Sequence, residues 1–164
     1  MFGINYWFIV AGVFALIFIF AVIRTLVVNA EAKKLNGNLA IIIKELKNSG
    51  FVATTGIRDR YTQIRIDPTH KMVAVCFFRD ATIKKFGFSE LIHCDIVQEN
   101  QSVTTEGKIM ATLKVKIITS NLTDPLIIIP AVTSVIETNS QAYSEGKKFA
   151  EEVQALMISV ANQR

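Results

Sequence analysis

The 164-residue chain reads as an α+β protein. An N-terminal transmembrane helix is followed by an antiparallel β-sheet of about six or seven strands, which a C-terminal amphipathic helix caps. Three observations predict this. Residues 1–23 contain no charged side chain, and every acidic residue lies at Glu31 or later. Residues 63–129 show strand-like alternation and β-branched enrichment. Residues 149–160 carry an apolar stripe at i, i+3, i+4, i+7. Hydrophobic residues make up 51% of the chain and mean hydropathy is +0.37, which excludes disordered, collagen-like and low-complexity classes.

Segment 6–28, YWFIVAGVFALIFIFAVIRTLVV, is long enough to cross a hydrocarbon core, which takes about 20 helical residues. Apolar residues fill all its faces, unlike an interfacial helix with one polar stripe. Tyr6 and Trp7 suit the headgroup layer at one end, and Arg24, Lys33 and Lys34 anchor the other. A cleaved secretory signal is the competing reading, with small residues at Val28-Asn29-Ala30, but the apolar run is too long and MFGINYW has no basic residue. The tail before the span lacks Lys and Arg, whereas Arg24, Lys33, Lys34, Lys44 and Lys47 follow it, so the positive-inside rule places the C-terminal domain in the cytoplasm. Ala11 and Ala15 present small residues on one face, a weak signal for a homo-oligomer through the span.

The sequence divides into an anchor at 1–30, a juxtamembrane linker with a short helix at 31–50, and a cytosolic domain at 51–164. Residues 31–37 are polar and end in Asn-Gly, which predicts a junction. Asn38 is the expected N-cap of a helix with Leu39, Ile42, Ile43 and Leu46 on one stripe, to pack on the domain or lie on the membrane. Strands are expected from Gln63, with a turn at Asp67-Pro68-Thr69-His70. Residues 72–78 (MVAVCFF) are apolar on both faces, as in a covered strand. Further strands are read at 82–88, 91–97, 112–119 and 126–129, with a polar loop at 99–108. The C-terminal helix places Phe149, Ala150, Val153, Leu156, Met157 and Val160 on one face.

Chemistry is sparse. There is no GxxxxGK[ST] loop and no GxGxxG after a strand. His93-Cys94-Asp95 invites a nucleophile or metal reading, but neighbouring strand residues point to opposite faces, so His93 and Cys94 should diverge. Cys76 and Cys94 lack zinc-ligand spacing and read as small buried hydrophobes. They fit a reducing compartment, although one disulfide across two strands would also use both. Catalytic, cofactor and metal residues are therefore not assigned, and no enzyme is expected. Lys84 and Lys85 lie on one expected strand, while Lys114 and Lys116 share a face of another. They could form a basic patch for lipid headgroups or an acidic protein, or simply a solvated face that protects an edge. From Ser49 onward 12 acidic residues face 13 basic ones, too even a balance for nucleic acid.

The stretches IRIDPTHKMVAVCFF and TIKKFGFSELIHCDIVQEN, with the late YSEGKKFAEEVQALMISV, resemble small bacterial pleckstrin-homology-like (PH-like) domains over residues 63–162. That resemblance implies a bent antiparallel sheet capped by a C-terminal helix, used for interaction, and it transfers no binding residues. In architecture, though in no motif, the chain also resembles the prophage superinfection exclusion protein A family. This second resemblance implies an inner-membrane protein that blocks entry of an incoming phage genome, with the ejected phage proteins as its unidentified partner.

Overall fold

The computed structural model describes residues 6–103 and 108–164. Helix α1, Tyr6–Asn48, is followed by β1 (Thr55–Arg58), β2 (Thr62–Asp67), β3 (Met72–Phe77) and β4 (Thr82–Gly87). A 3-10 turn at Phe88–Glu90 leads to β5 (Leu91–Val103), β6 (Ile109–Thr119) and β7 (Leu126–Glu137), and α2 (Gln141–Ala161) closes the fold. The α+β class is as expected, but the single sheet is not. The strands form two antiparallel meanders, β1-β2-β3-β4 and β5-β6-β7. The break falls at Ser89 and Glu90, where the 3-10 turn redirects the chain. The Glu90 carboxylate accepts from the Gly87 N–H at 2.6 Å, and its carbonyl accepts from Ser120 N–H at 2.7 Å.

Inward residues of both sheets meet in one core. Ile64, Ile66, Val73, Val75 and Phe86 come from the first sheet, and Leu113, Val115, Ile117, Ile127 and Ile129 from the second. Helix α2 adds Phe149, Ala150, Val153, Met157 and Val160, the stripe read from its period. Its N-cap is Ser140, whose hydroxyl accepts from Tyr143 N–H at 3.2 Å, and Tyr143 Oη donates to Gln98 Oε1 on β5 at 2.6 Å. Gly146 lets α2 approach β7, since a Cβ there would collide with Val132 and the Ala131 carbonyl.

Strand β3 is buried on both faces, as its sequence predicts. Its second face, Ala74 and Cys76 together with Phe78 just beyond it, is covered by α1 through Ile42 and Leu46, with Leu35 and Leu39 alongside. These four recur at i, i+4, i+7, i+11, one stripe of a helix. Ile42 and Leu46 are 0% and 2% exposed, and full burial of such side chains contributes about 1.5–3 kcal/mol each.

This packing explains the largest departure from the sequence reading. The junction at 31–37 and the short helix after it are both part of α1, which runs unbroken for 43 residues, about 64 Å. Asn38 is no N-cap. Its side-chain amide instead donates to the carbonyls of Phe78 at 2.6 Å and Arg79 at 3.2 Å. Gly37 costs the helix about 1 kcal/mol, less than the stripe around it gains. Strand β1 is an addition to the elements read from sequence, and β7 extends through Pro130 because it is an edge strand that can spare an N–H. The expected loop at 99–108 is strand through Val103, and residues 104–107 lie outside the described residues.

Asp67, 0% exposed, fastens the chain after α1 to the β2–β3 turn. One carboxylate oxygen accepts from Val52 N–H at 2.8 Å and pairs with His70 Nδ1 at 2.7 Å, and the other accepts from His70 N–H at 3.0 Å. Burial opposes ionisation, but these bonds outweigh it and hold the carboxyl at about 2, below its ordinary 3.8. A depressed folded value means that the stabilisation is fully present above the unfolded value and disappears as pH falls from about 4 toward 2. Asp67→Ala should lower stability by about 2–3 kcal/mol and flatten the loss of stability over that acid range, as read by denaturant unfolding at stepped pH. A Cβ on Gly37 meets no atom within 4 Å, so Gly37→Ala should raise stability by about 0.5–1 kcal/mol in the same measurement.

Candidate functional site

The sequence-predicted polar cluster sits at the start of β5. Strand alternation turns Cys94 toward the core, opposite Ile117, and leaves His93 and Asp95 outside. His93 Nε2 and Asp95 Oδ1 pair at 2.7 Å, with both side chains about half exposed. They rim a groove of ≈ 220 Å³ between β5 and α2, lined also by Ile92, Gln154 and Ile158. Gln154 reaches across to donate to the Cys94 carbonyl at 3.1 Å. A thiol nucleophile would need Cys94 on the imidazole side of the strand, and it faces the other way. Both cysteines are free and buried. Burial pushes the Cys94 thiol up to about 12 and the Cys76 thiol to about 11. Among the described residues, no three His, Cys, Asp or Glu side chains converge as a metal site requires.

The four lysines of the expected basic face are not brought together. Lys84 bonds Asp124 at 2.6 Å, while its neighbour Lys85 points to the opposite face of the sheet and donates to Ser49 Oγ at 2.8 Å. On the outer face of the second sheet, Lys114 bonds Glu99 at 2.7 Å and Lys116 stands opposite Asp95 in register. The ammonium of Lys114 holds the Glu99 carboxyl below the usual carboxylate range.

A different basic cluster forms where the β1–β2 and β3–β4 turns meet. Arg60 and Arg79 place their guanidinium carbons 5.2 and 4.1 Å from the Tyr61 ring centroid, and Arg58 lies 5.2 Å from that of Phe78. The turns are locked together by Phe78 N–H donating to the Tyr61 carbonyl at 2.8 Å. They are joined to α1 through Glu31, which accepts from Tyr61 Oη at 3.1 Å and Arg60 Nη2 at 3.3 Å. The signal that could have found this cluster is Arg58-Asp59-Arg60-Tyr61, a basic and aromatic run ahead of a strand. Its partner Arg79 lies in another turn, and only the hairpin register joins them.

Among the anchor residues, Arg24, Lys33 and Lys34 are exposed on α1. The side chains of Tyr6 and Trp7 lie outside the described residues. Among the described residues, one helix is long and apolar enough to cross a membrane, Val10–Asn48, with none of its most apolar stretch buried against the rest of the chain.

No family model, curated protein or solved structure matches the chain.

The burial of both thiols has a direct readout. In native protein at about pH 8, Cys76 and Cys94 should resist iodoacetamide, and both should alkylate completely once the chain is unfolded. Rapid native labelling of Cys94, followed by mass spectrometry, would contradict its placement in the core.

Proposed function

We propose that this chain is a single-pass inner-membrane protein presenting a non-enzymatic, PH-like interaction domain to the cytoplasm. The observation that carries this reading is the uninterrupted course of α1, whose apolar first half is left uncovered by the rest of the chain and whose second half is built into the sandwich. An uncovered helix of that composition is costly in water and stable in lipid. Antiparallel strands followed by a closing helix support the PH-like assignment through the C-terminal cap that the resemblance implies, while the strands form two sheets in place of its one bent sheet. The basic residues that follow the span support the cytoplasmic orientation.

The specific role we propose is exclusion of superinfecting phage, on the resemblance in architecture to prophage exclusion proteins. The partner would be an ejected phage protein at the inner membrane. The alternative is lipid binding or scaffolding by the face bearing Lys84, Lys85, Lys114 and Lys116. It has less support, because Lys84 and Lys114 are already committed to carboxylates.

Full-length protein should stay with the inner-membrane fraction through carbonate washing, and protease added outside spheroplasts should leave residues 49–164 intact. Recovery in the soluble pool would refute the anchor, and digestion of the domain would refute its orientation. In a sensitive host, expression should reduce phage DNA entry and potassium efflux on infection. Unchanged entry for every phage tested would remove the exclusion role and leave the anchored platform standing.

A further inference from the structure

We propose that the cavity at Gln63 and Arg65, beside α1 on the second face of the first sheet, binds a terminal amino-acid unit: an α-carboxylate together with the N–H of the same residue. The inference goes beyond the proposed function and holds whether or not α1 crosses a membrane. Among the described residues three buried side-chain polar atoms lack a hydrogen-bond partner. Two of them, Gln63 Oε1 and Arg65 Nε, lie two residues apart on one face of β2. Both residues line the same opening of ≈ 210 Å³, whose other walls are the small residues Ala53, Thr54, Thr55 and Gly56. Buried polar groups are nearly always bonded, so two orphans at one opening point to a ligand. Gln63 stands opposite Cys76 in register and Arg65 opposite Ala74. Because α1 covers Ala74 and Cys76, the opening lies at the flank of that helix.

Among the described residues no carboxylate lies within ion-pair distance of Arg65, so its planar fork is available to one. The acid two residues on, Asp67, is 0% exposed, and its oxygens are already bonded to Val52 N–H and to His70. At Cys76 the positive charges of Arg65 and Lys85 act against one negative charge, that of Glu45, so the local field favours an anion. The two orphans call for opposite partners. Arg65 supplies donors, whereas Gln63 Oε1 is an acceptor that needs a donor. A simple carboxylate or a phosphate dianion satisfies Arg65 and offers Gln63 nothing. An acylated amino acid and a polypeptide C-terminus both carry the two groups within a single residue. Residues two apart on a strand are separated by about 6.6 Å, and a carboxylate with its own N–H fills that interval with one hydrogen bond at each end. The small walls suit a short side chain on that residue.

The test is a ligand-observed NMR titration of the full chain, in mild detergent, with N-acetylalanine, N-acetylalaninamide, propionate and inorganic phosphate. N-acetylalanine should bind about tenfold more tightly than each of the others, because the amide lacks the carboxylate, and propionate and phosphate lack the N–H. Arg65→Gln should weaken N-acetylalanine about tenfold, and Arg65→Lys should recover only part of the loss, since lysine keeps the charge without the fork. Gln63→Met should bring N-acetylalanine down to the level of propionate. Continued protection of Cys76 from iodoacetamide in each variant would show that α1 still covers β3, and the comparison of ligands on the unaltered chain needs no variant. An N-acetylated alanine tetrapeptide separates the two sources of the same chemistry. Tighter binding than N-acetylalanine assigns the site to a polypeptide end, and equal binding assigns it to a free acylated amino acid. Equal affinity for N-acetylalanine and its amide, phosphate binding as tight as that of N-acetylalanine, or no binding by any probe would overturn the proposal.

Discussion

The structure depends on the covering of β3's second face by α1. An antiparallel sheet usually keeps one side for water, but here Ala74, Cys76 and Phe78 require an apolar cover. The stripe from Leu35 to Leu46 provides it. That demand keeps residues 31–48 helical in spite of Asn36 and Gly37, and it welds the apolar first half of the helix to the folded domain. Asp67 then secures the exit, so the connection from α1 to β1 is pinned at its start by packing and at its end by a buried carboxylate.

With that face taken, the surfaces left for function are few. The inner faces are closed by one another and by α2, with Cys94 beneath them, and Cys76 lies beneath α1 on the second face of β3. Of the sheet lysines, Lys84 and Lys114 are matched to the carboxylates of Asp124 and Glu99, and Lys85 to the hydroxyl of Ser49. What remains accessible includes the groove beside β5 and the turns next to the apolar first half of α1. The groove is rimmed by an imidazole–carboxylate pair, and Cys94, which also lines it, is buried toward the core. The turns are rich in guanidinium supported by aromatic rings, which suits recognition rather than bond making.

The sequence was most informative where a pattern is local. The helical stripe of α2, the two-faced burial of β3 and the divergence of His93 from Cys94 all follow from periodicity. Two kinds of feature escaped it. The division into two sheets depends on a three-residue turn at Phe88–Glu90, whose effect on direction cannot be read from Ser89 and Glu90. The unbroken course of α1 escaped because Asn36-Gly37 is a sound local signal for a turn, and only the distant face of β3 overrules it. The arginine cluster was illegible for the same reason: Arg60 and Arg79 meet only through the pairing of two hairpins. The lysines were grouped by their place on strands, which fixes a face but does not reveal the carboxylate across from it.

A helix without a hinge converts chain length into angle. Each residue inserted or removed between Val28 and Leu35 would turn the sandwich by about 100° around the helix axis while moving it only about 1.5 Å. One extra residue would swing the arginine turns well around the axis at nearly unchanged height. Seven would restore the original facing to within about 20°, now raised by about 10 Å. The short stretch of α1 between its apolar first half and the domain therefore acts as a rotational setting, and variation in its length would be tolerated in steps of whole turns before it would be tolerated in single residues.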